Sequence, residues 1–301
     1  MTLSIIAISY NTKELLLQCL QAVEQTVVAV DYEIIVVDNA SRDGSAEMVH
    51  TLFPRAHLLA NNHNVGFAAA NIRASRGEFL LLLNSDAVLL PGAVDSMLAC
   101  MREEPRVGVV GGKLLNPDGS FQHSFANFPT VWSEVLLLTR LYRLVLPATY
   151  PSYPERRSME RRAVDWVSGA LLMARREAVD GVGLLDEAFF MYTEEVDWCY
   201  RMRADGWQVL YLPEAGAVHR AAGSEHAQAD GKRAQLYHSK WLFLRKHRGR
   251  VSAWVFRSLV LLVSSLNLFL WMLRALVKRG DARRNARRRA RSYRNVVAQQ
   301  W

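Results

Sequence analysis

Short apolar runs alternate with helical patterns along the N-terminal third of the chain. Four runs are rich in β-branched residues and leucine, as buried strands are: Leu3–Ile8, Glu33–Val37, Ala56–Leu59 and Phe79–Leu83. A helix capped by Asn11 or Thr12 follows the first run. Pro91 opens another helix after the fourth run, at a position where a missing N–H does no harm. This alternation predicts an α/β fold with a mostly parallel sheet and helices on both faces.

The pattern loosens in the middle of the chain, but turn residues still divide it into elements. Asn116-Pro117-Asp118-Gly119 predicts a hairpin tip, and the proline-rich stretch Pro147–Arg162 predicts a surface loop. A strand, a helix and a second strand leading to His219 are predicted at Trp166–Met173, Glu195–Ala204 and Gln208–Leu212. Since no repeat or long linker interrupts them, we expect residues 1–245 to form one domain and 246–301 a separate segment.

An apolar stretch of helical character, Val251–Val277, precedes a basic tail. Only 16 residues separate Arg257 from Arg274, fewer than the roughly 20 that a membrane span requires. The polar residues of the stretch fall broadly on one side of a helix. We therefore expect a helix in the membrane interface, which makes the protein peripheral at the cytoplasmic face of the cell membrane. A packing helix or dimer element with a disordered tail is the alternative, and the oligomeric state stays open.

The charge distribution separates the tail from the body. The net charge is +8, yet from Arg274 onward ten basic residues face a single acid, Asp281, so the body is close to neutral. A near-neutral body argues against nucleic-acid binding, while the tail could attract anionic lipid. Three cysteines without a C-x-x-C pair indicate a reducing compartment and no thiolate metal site. The start of the chain has no basic n-region, which predicts a cytosolic globular part.

Polar residues directly follow two of the predicted strands. Asp38 ends the second and Asp86 follows the fourth, and the carboxyl ends of parallel strands open onto one crevice. There Asp38 could accept a hydrogen bond from a nucleotide base, and Asn84 and Asp86 present oxygens of the kind that divalent cations prefer. Either aspartate alone is equally well explained as a turn former. Together they favour a site for a nucleotide and a metal ion.

Seven short motifs in one order resemble glycosyltransferase family 2, whose members have the GT-A nucleotide-sugar fold. The likeness is strongest to a bacterial rhamnosyltransferase-like branch, and it covers roughly residues 3–220. The motifs are Ser9–Asn11, Asp38–Ser41 with Asp43–Ser45, Asn64–Asn71, Leu83–Asp86, Trp166–Ala170, Phe189–Asp197 and His219.

The resemblance implies a role for each motif. A divalent cation, Mg²⁺ or Mn²⁺, is expected at Asp86 and His219, and the second acid of the family's acidic pair, here Glu195, is the general base. The resemblance also implies a nucleotide-sugar site, comprising Ser9, Tyr10, Asn11, Asp38, Asn39, Gly66, Asn84, Ser85 and Asp86. It implies an acceptor site at Trp166, Ser168 and Gly169.

Two positions depart from the family's pattern. Asn84 stands where an aspartate opens the metal motif, which removes one charge and weakens the expected cation affinity. Glu195 stands where an aspartate is usual, so the extra methylene displaces the base and leaves Glu194 and Asp197 as alternatives. Acids in the first turn of a helix are also favoured by the helix dipole whatever their function.

These residues predict a metal-dependent, inverting hexosyltransferase. A cation stabilises the leaving nucleotide diphosphate, a carboxylate takes the acceptor proton, and a single displacement inverts the anomeric centre. The resemblance implies rhamnose from a dTDP donor, and a lipid-linked or cell-surface glycan as acceptor in cell-wall or polysaccharide biosynthesis. The alternatives are a polyprenyl-phosphate glycosyltransferase and a non-catalytic nucleotide-sugar-binding scaffold at the membrane.

Overall fold

The computed structural model describes residues 1–67, 75–139, 141, 159–220 and 231–299. Within them the chain forms two compact units. The first contains residues 1–67, 75–128, 159–190 and 194–220, and the second contains residues 129–139, 141, 191–193 and 231–299. Most of the loop predicted at Pro147–Arg162 lies outside the described residues, as far as residue 158.

The first unit is built on a central sheet. Its strands, with those of a separate two-stranded sheet, are β1 (Leu3–Ser9), β2 (Tyr32–Asp38), β3 (His57–Ala60), β4 (Phe79–Asn84), β5 (Ala87–Leu89), β6 (Val107–Leu115), β7 (Phe121–Gln122), β8 (Phe125–Ala126), β9 (Arg162–Ala163), β10 (Trp166–Val167), β11 (Leu171–Arg175) and β12 (Gln208–His219). The strand order of the central sheet is β3-β2-β1-β4-β11-β6-β12-β5, with β7 paired to β6 and β9 to β12.

Helices from both units complete the described elements. In chain order they are α1 (Lys13–Thr26), α2 (Ser45–Leu52), α3 (Ala93–Glu103), α4 (Val131–Thr139), α5 (Arg176–Val182), α6 (Glu194–Ala204), α7 (Lys232–His247), α8 (Gly249–Val277) and α9 (Gly280–Ala298). Two hydrophobic clusters fill the two faces of the sheet, because successive strand residues point in opposite directions. Leu3 and Ile5 of β1 belong to the cluster that α1, α2 and α3 cover, and Ile6 belongs to the one that α5 and α6 cover.

The sheet has a parallel half and a mixed half. Strands β3, β2, β1 and β4 are all parallel, as the alternation of strands and helices predicts. Strand β11 lies antiparallel between β4 and β6, and β5 lies antiparallel to β12. The mixed half depends on pairings between distant segments, which hydrophobic periodicity does not encode.

The register of the sheet brings predicted site residues to one edge. Ser9 of β1 lies opposite Asp38 of β2, and β4 ends one position earlier along β1, at Asn84. Strand β12 ends at His219, opposite the first residue of β5. Since β5 begins directly after Asp86, the pairing brings His219 to that carboxylate.

The single strand predicted at Trp166–Met173 is wrong, because the structure has two strands there. Strand β10 pairs with β8 in the small sheet, whereas β11 pairs with β4 and β6 in the large one. Between them the Ser168 N–H donates to the Ser124 carbonyl at 2.7 Å, and residues 169–170 form a turn. The hydrogen bond continues the pairing with β8 by one residue, and the turn then leads the chain into β11 of the large sheet.

The second unit consists of α4, α7, α8 and α9 with the short segment 191–193. Its small core includes Trp241, Leu244, Phe256, Val260 and Val296. The unit therefore reaches upstream of the boundary expected at residue 245, because α7 buries its apolar residues against the C-terminal helices and α4 contacts α8.

The basic segment that follows the apolar helix is itself helical. It forms α9, which runs back along α8: the Arg289 guanidinium lies 4.8 Å from the Trp271 ring centre, and Val296 joins the cluster of Phe256 and Val260. By length and composition alone, α8 is the single described helix that could cross a membrane. Core helices of soluble proteins can have the same length and composition.

Candidate active site

A chain of hydroxyl groups links the ends of β1 and β4. The Ser9 and Thr12 hydroxyl oxygens lie 2.9 Å apart, and Thr12 donates to Ser85 Oγ at 3.0 Å. All three side chains are buried and satisfy one another where water is excluded. Thr12 is the N-cap residue of α1, one of the two predicted, but its side chain makes no capping hydrogen bond to the helix. It instead holds the turn after β4 against β1.

Asn11 joins this turn to the loop that follows β2. Its N–H donates to Ser41 Oγ at 2.8 Å, and its Oδ1 accepts from the Arg42 N–H at 2.7 Å, so its side chain does not cap α1 either. Asn11 and Ala40 have left-handed backbones, with φ of 54° and 62°, which persist where surrounding contacts hold them. Tyr10 is half-buried between these groups and β1. Two predicted nucleotide-binding motifs therefore form one wall.

The Asp38 carboxylate is buried at the end of β2 and only half satisfied. Its Oδ2 accepts from the Ser41 N–H at 2.9 Å. Its Oδ1 is shielded from solvent and has no hydrogen-bond partner among the described residues. Because leaving a buried acceptor unsatisfied costs about 1–3 kcal/mol, this oxygen is suited to receive a donor from a ligand.

Asn39 extends the wall towards Gly66. Its Nδ2 donates to the Gly66 carbonyl at 3.0 Å, and its Oδ1 accepts from Asn61 Nδ2 at 2.8 Å. Gly66 has a φ of 84°, and a Cβ there would collide with the Phe190 backbone. The Phe67 N–H donates to the Phe190 carbonyl at 2.9 Å. Only glycine allows this close approach. The motif that contains Gly66 therefore packs against the motif that contains Phe190. Residues 68–71 of the motif lie outside the described residues.

Asp86 and His219 lie side by side where β5 begins and β12 ends. Asp86 Oδ1 is 3.1 Å from His219 Nε2, and Asn84 Nδ2 is 3.2 Å from the same nitrogen. Within the part of the chain that the structure describes, no group of three or more His, Cys, Asp and Glu side chains is arranged to hold a metal ion. The predicted ligand pair is brought together, without a further ligand of these types.

Gln122 in β7 belongs to this cluster, and the sequence analysis missed it. Its Oε1 is 2.6 Å from His219 Nδ1, while its Nε2 donates to Asn116 Oδ1 at 3.0 Å and to the His219 carbonyl at 3.3 Å. Since its amide nitrogen faces two acceptors, its oxygen faces Nδ1, which carries the proton. Nε2 faces Asp86 Oδ1 and Asn84 Nδ2. The contact joins positions 97 apart, and no local motif marks it.

Helix α6 begins with a buried carboxyl group, Glu194. Burial, and secondly the charge of Glu195, raise the pKa of Glu194 well above its ordinary value. Its Oε2 has no hydrogen-bond partner among the described residues. Tyr192 and Thr193, directly before it, have left-handed φ angles of 66° and 71°. Such angles are strained for a bulky or β-branched residue and cluster at functional sites.

Glu195 is half-buried and lies against the segment predicted to hold the acceptor. A Cβ built on Gly169 would be 3.7 Å from the Glu195 Cβ and 3.7 Å from the Phe67 ring. The carbonyl of the next residue, Ala170, accepts from the Asn84 N–H at 3.2 Å. Residues 168–170 therefore contact both the acidic helix and the turn that carries the Asn84 and Asp86 side chains.

The other two predicted acceptor residues shape the same segment. The Trp166 indole N–H donates to the Asn127 carbonyl at 2.9 Å. The Ser168 hydroxyl accepts from the Ala170 N–H at 3.3 Å. The Trp166 side chain holds the segment to its surroundings and the Ser168 side chain closes the turn within it, whereas Gly169 is the position that lies beside Glu195.

Asp197 has a different environment from the two glutamates. It is fully buried, and its carboxylate accepts from Arg201 Nε at 2.8 Å. The terminal nitrogens of Arg201 donate to the Val182 and Leu184 carbonyls at 2.6 and 2.7 Å. The carboxylate therefore orients a guanidinium that closes the end of α5.

Known structures identify the class of protein that has this fold. A mannosyltransferase of Pyrobaculum calidifontis, solved in complex with GDP-Man and Mn²⁺, matches 98% of this chain and 86% of its own with a TM-score of 0.57. The two sequences are 16% identical, so this likeness concerns the fold alone. It agrees with the GT-A fold expected from the motifs.

Sequence comparison then identifies the family. Residues 4–180 match the model for glycosyl transferase family 2. An N-acetylglucosaminyl-diphospho-decaprenol L-rhamnosyltransferase of Mycobacterium tuberculosis is 30% identical over 276 residues, 83% of this chain and 86% of that protein. A rhamnosyltransferase of Escherichia coli is 24% identical over 54% of this chain and 59% of its own. The chain belongs to glycosyltransferase family 2, which confirms the resemblance, and it is a hexosyltransferase.

The raised pKa of Glu194 predicts a pH-dependent gain in stability for Glu194→Gln. Below the ordinary glutamate pKa of about 4.3, both states of the wild type are protonated and the two proteins should melt alike. As the pH rises above that value, Glu194 loses its proton in the unfolded state but keeps it in the folded state. The free energy of unfolding of the wild type therefore falls until the pH passes the pKa of Glu194 in the folded state. Glutamine has no proton to lose. The melting temperature of the variant should therefore exceed that of wild type increasingly from pH 5 to 8.

The exposed substitution Glu177→Gln in α5 is the control for the removal of a charge. Its melting temperature should follow that of wild type at every pH. A difference between Glu194→Gln and wild type that shrinks towards pH 8 would contradict the raised pKa.

Proposed function

We propose that this glycosyltransferase transfers rhamnose, with inversion, from a dTDP donor to a lipid-linked glycan in cell-wall or surface polysaccharide synthesis. The observation that carries the proposal is the position of residues 168–170. On one side Ala170 accepts a hydrogen bond from Asn84, and on the other Gly169 lies against Glu195. A proton acceptor and the candidate cation ligands therefore adjoin one segment, as a displacement at an anomeric carbon requires.

The nucleotide of the donor is assigned to the edge formed by β1 and β2. The buried Asp38 Oδ1 can accept from a base N–H, and hydrogen bonding to a ligand would remove the cost of leaving it unsatisfied. The wall from Ser9 to Asn11 and the loop at Asn39 are held by contacts with one another. A preorganised wall of this kind loses little conformational entropy when a ligand binds.

A divalent cation, Mg²⁺ or Mn²⁺, is assigned to Asp86 and His219. Asp86 Oδ1 and His219 Nε2 lie 3.1 Å apart, close enough to bind one cation together. Because Mg²⁺ keeps several waters and binds through one or two carboxylates plus substrate phosphates, the small number of protein ligands fits. When bound, the cation would supply positive charge that stabilises the leaving diphosphate.

Proton transfer is assigned to Glu195. Glu195 is half-buried and its Cβ lies beside Gly169 of the acceptor segment, whereas Glu194 is buried and Asp197 pairs with Arg201. Glu195 accepts the proton of the acceptor hydroxyl as that oxygen attacks the anomeric carbon. The attack comes from the side opposite the diphosphate, and a single displacement inverts the configuration.

The sugar and the acceptor are proposed by analogy with the relatives. The Mycobacterium tuberculosis relative is an L-rhamnosyltransferase of N-acetylglucosaminyl-diphospho-decaprenol and spans 83% of this chain. The Escherichia coli relative is also a rhamnosyltransferase. The names of both relatives support rhamnose as the sugar, and that of the first supports a sugar on a polyprenyl diphosphate as the acceptor. The dTDP part of the donor rests on the family resemblance.

A lipid-linked acceptor requires the enzyme to work at a membrane, and α8 with α9 fits a peripheral position on the cytoplasmic face. Leu262, Leu266 and Phe269 are among the exposed apolar side chains of α8. If α8 spanned the bilayer, the arginines of α9 beside it would enter hydrocarbon, at about 2.5–3.5 kcal/mol each near the centre. Lying in the interface, the same arginines gain about 1 kcal/mol each near anionic lipid.

Replacing Glu195 by Gln should lower kcat for rhamnosyl transfer by about 10²–10⁴-fold, because the acceptor proton loses its base. The KM for dTDP-rhamnose should stay unchanged, since the proposed donor site does not include Glu195. Transfer to an N-acetylglucosaminyl-diphospho-lipid with Mn²⁺ is the measurement, and the exposed Glu187→Gln provides a charge-matched control. Equal rates for Glu195→Gln and wild type would remove Glu195 from the mechanism, and no transfer by wild type would refute the function.

Replacing Gln122 by Leu should weaken Mn²⁺ binding about 10–100-fold, as loss of a group that orients a metal-binding histidine typically does. Calorimetric titration of Mn²⁺ in the presence of dTDP measures the dissociation constant directly. Gln122→Glu keeps an oxygen acceptor for Nδ1–H and should retain tight binding. Unchanged affinity in Gln122→Leu would show that His219 needs no such support.

The double substitution Leu266→Glu and Phe269→Glu should reduce binding to phosphatidylglycerol vesicles at least tenfold. Each apolar side chain contributes about 1.5–3 kcal/mol when it is removed from water. Ser258→Glu with Ser265→Glu adds the same charge at exposed polar positions of α8 and should weaken binding less. Equal losses in a flotation assay would mean that charge alone holds the protein to the vesicle.

A further inference from the structure

The second unit contains a cavity that the proposed chemistry does not use. Its volume is about 640 Å³, within the roughly 300–1,000 Å³ of typical small-molecule sites. Helices α4, α7, α8 and α9 all contribute to its wall, together with Tyr192. We call it the helical cavity.

The lining of the helical cavity combines cations with aliphatic side chains. Lys232, Arg233 and Lys240 supply positive charge, and Glu134 is the one acid among the described lining residues. Leu137, Leu236 and others supply apolar surface. Ammonium and guanidinium groups bind phosphate oxygens through charge-assisted hydrogen bonds, whereas leucines favour hydrocarbon. The lining therefore suits a ligand with an anionic head and an aliphatic chain.

The aromatic residues of the cavity present polar tips as well as rings. Tyr192, Tyr237 and Tyr293 line the wall, and a phenol can donate to a phosphate oxygen. The Arg233 guanidinium lies 4.1 Å from the Tyr293 ring centre, so a cation–π contact restricts its position. A restricted guanidinium loses less entropy when it binds an anion.

Lys240, a second cation in the wall of the helical cavity, forms a buried ion pair. Lys240 Nζ is 2.8 Å from both carboxylate oxygens of Glu134, and the two side chains are 18% and 4% exposed. Buried ion pairs are weak devices for stability, because desolvation offsets their attraction. Here the pair fixes an ammonium group beside the cavity, where it can face an anion.

The wall of the helical cavity includes residues of the apolar helix α8. Val263 and Asn267 of α8 line it, while the other side of α8 carries the exposed apolar residues assigned to the membrane. Tyr192 on its wall stands two positions before Glu194 in the sequence.

We infer that the helical cavity binds the diphosphate and the first prenyl units of a lipid-linked acceptor. The inference rests on the proposed function and adds the site that selects a lipid acceptor over a soluble one. The cations bind the diphosphate, and the leucines of α4 and α7 contact the first prenyl units.

The test compares two acceptors that carry the same sugar. Arg233→Gln should raise the KM for N-acetylglucosaminyl-diphospho-polyprenol about tenfold, and leave kcat and the KM for methyl N-acetylglucosaminide unchanged. Val263→Phe, which fills the cavity without removing a charge, should also raise only the KM for the lipid acceptor. The matched controls are Arg250→Gln and Val255→Phe, at exposed positions that do not line the cavity. Neither control should change either KM.

Direct binding separates the possible sources of the anion. With dTDP saturating the donor site, farnesyl diphosphate should bind wild type at least tenfold more tightly than inorganic pyrophosphate does, and Arg233→Gln should weaken it about tenfold. If Arg233→Gln weakened binding to phosphatidylglycerol vesicles and left the acceptor KM unchanged, the cavity would hold a bilayer headgroup and the inference would be overturned.

Failure of this inference and failure of the proposed function give different results. If wild type used neither acceptor, the proposed function would fail, while binding of farnesyl diphosphate that depends on Arg233 would still support the cavity. The assignment of the lipid acceptor to the cavity would be wrong if wild type used both acceptors and the two cavity variants did not discriminate between them. Arg233→Gln and Val263→Phe would then change neither KM, or change both KM values equally. Melting temperatures of all four variants identify any loss of folding.

Discussion

The site depends on the register of the parallel strands β2, β1 and β4. Because side chains alternate between the two faces of a sheet, a slip of one position would turn Asp38 or Asn84 away from its partners. The core opposes such a slip, since Leu3 and Ile5 pack on one face of the sheet while Ile6 packs on the other. Packing of the core therefore also aligns the polar groups at the sheet edge.

Polar groups at that edge hold one another in place, and part of the backbone is strained as a result. Asn11 and Ala40 keep left-handed conformations next to one predicted binding wall, and Tyr192 and Thr193 keep them just before the acidic helix. Such conformations cost roughly 1–3 kcal/mol each. The surrounding hydrogen bonds and the close contact at Gly66 maintain these backbone conformations. The rigidity of the wall therefore costs conformational free energy.

Local pattern predicted the parallel half of the sheet and the residues at its edge, because each strand there is a continuous apolar run. It failed where distant groups decide the structure. Trp166 and Val167 pair with β8 instead of the large sheet, and Gln122 binds His219; neither contact leaves a trace in the neighbouring sequence. The extent of the second unit was missed for the same reason, since α4 and α7 join it through long-range packing.

The contact between Asp197 and Arg201 has a consequence for how related sequences are interpreted. One guanidinium satisfies a buried carboxylate and two main-chain carbonyls at once, and a lysine, with its single ammonium group, cannot reproduce that planar geometry. Selection for folding alone would therefore preserve both positions. An acid retained at position 197 across an alignment would reflect this requirement for folding. Ranking carboxylates by invariance alone would mistake it for a catalytic group.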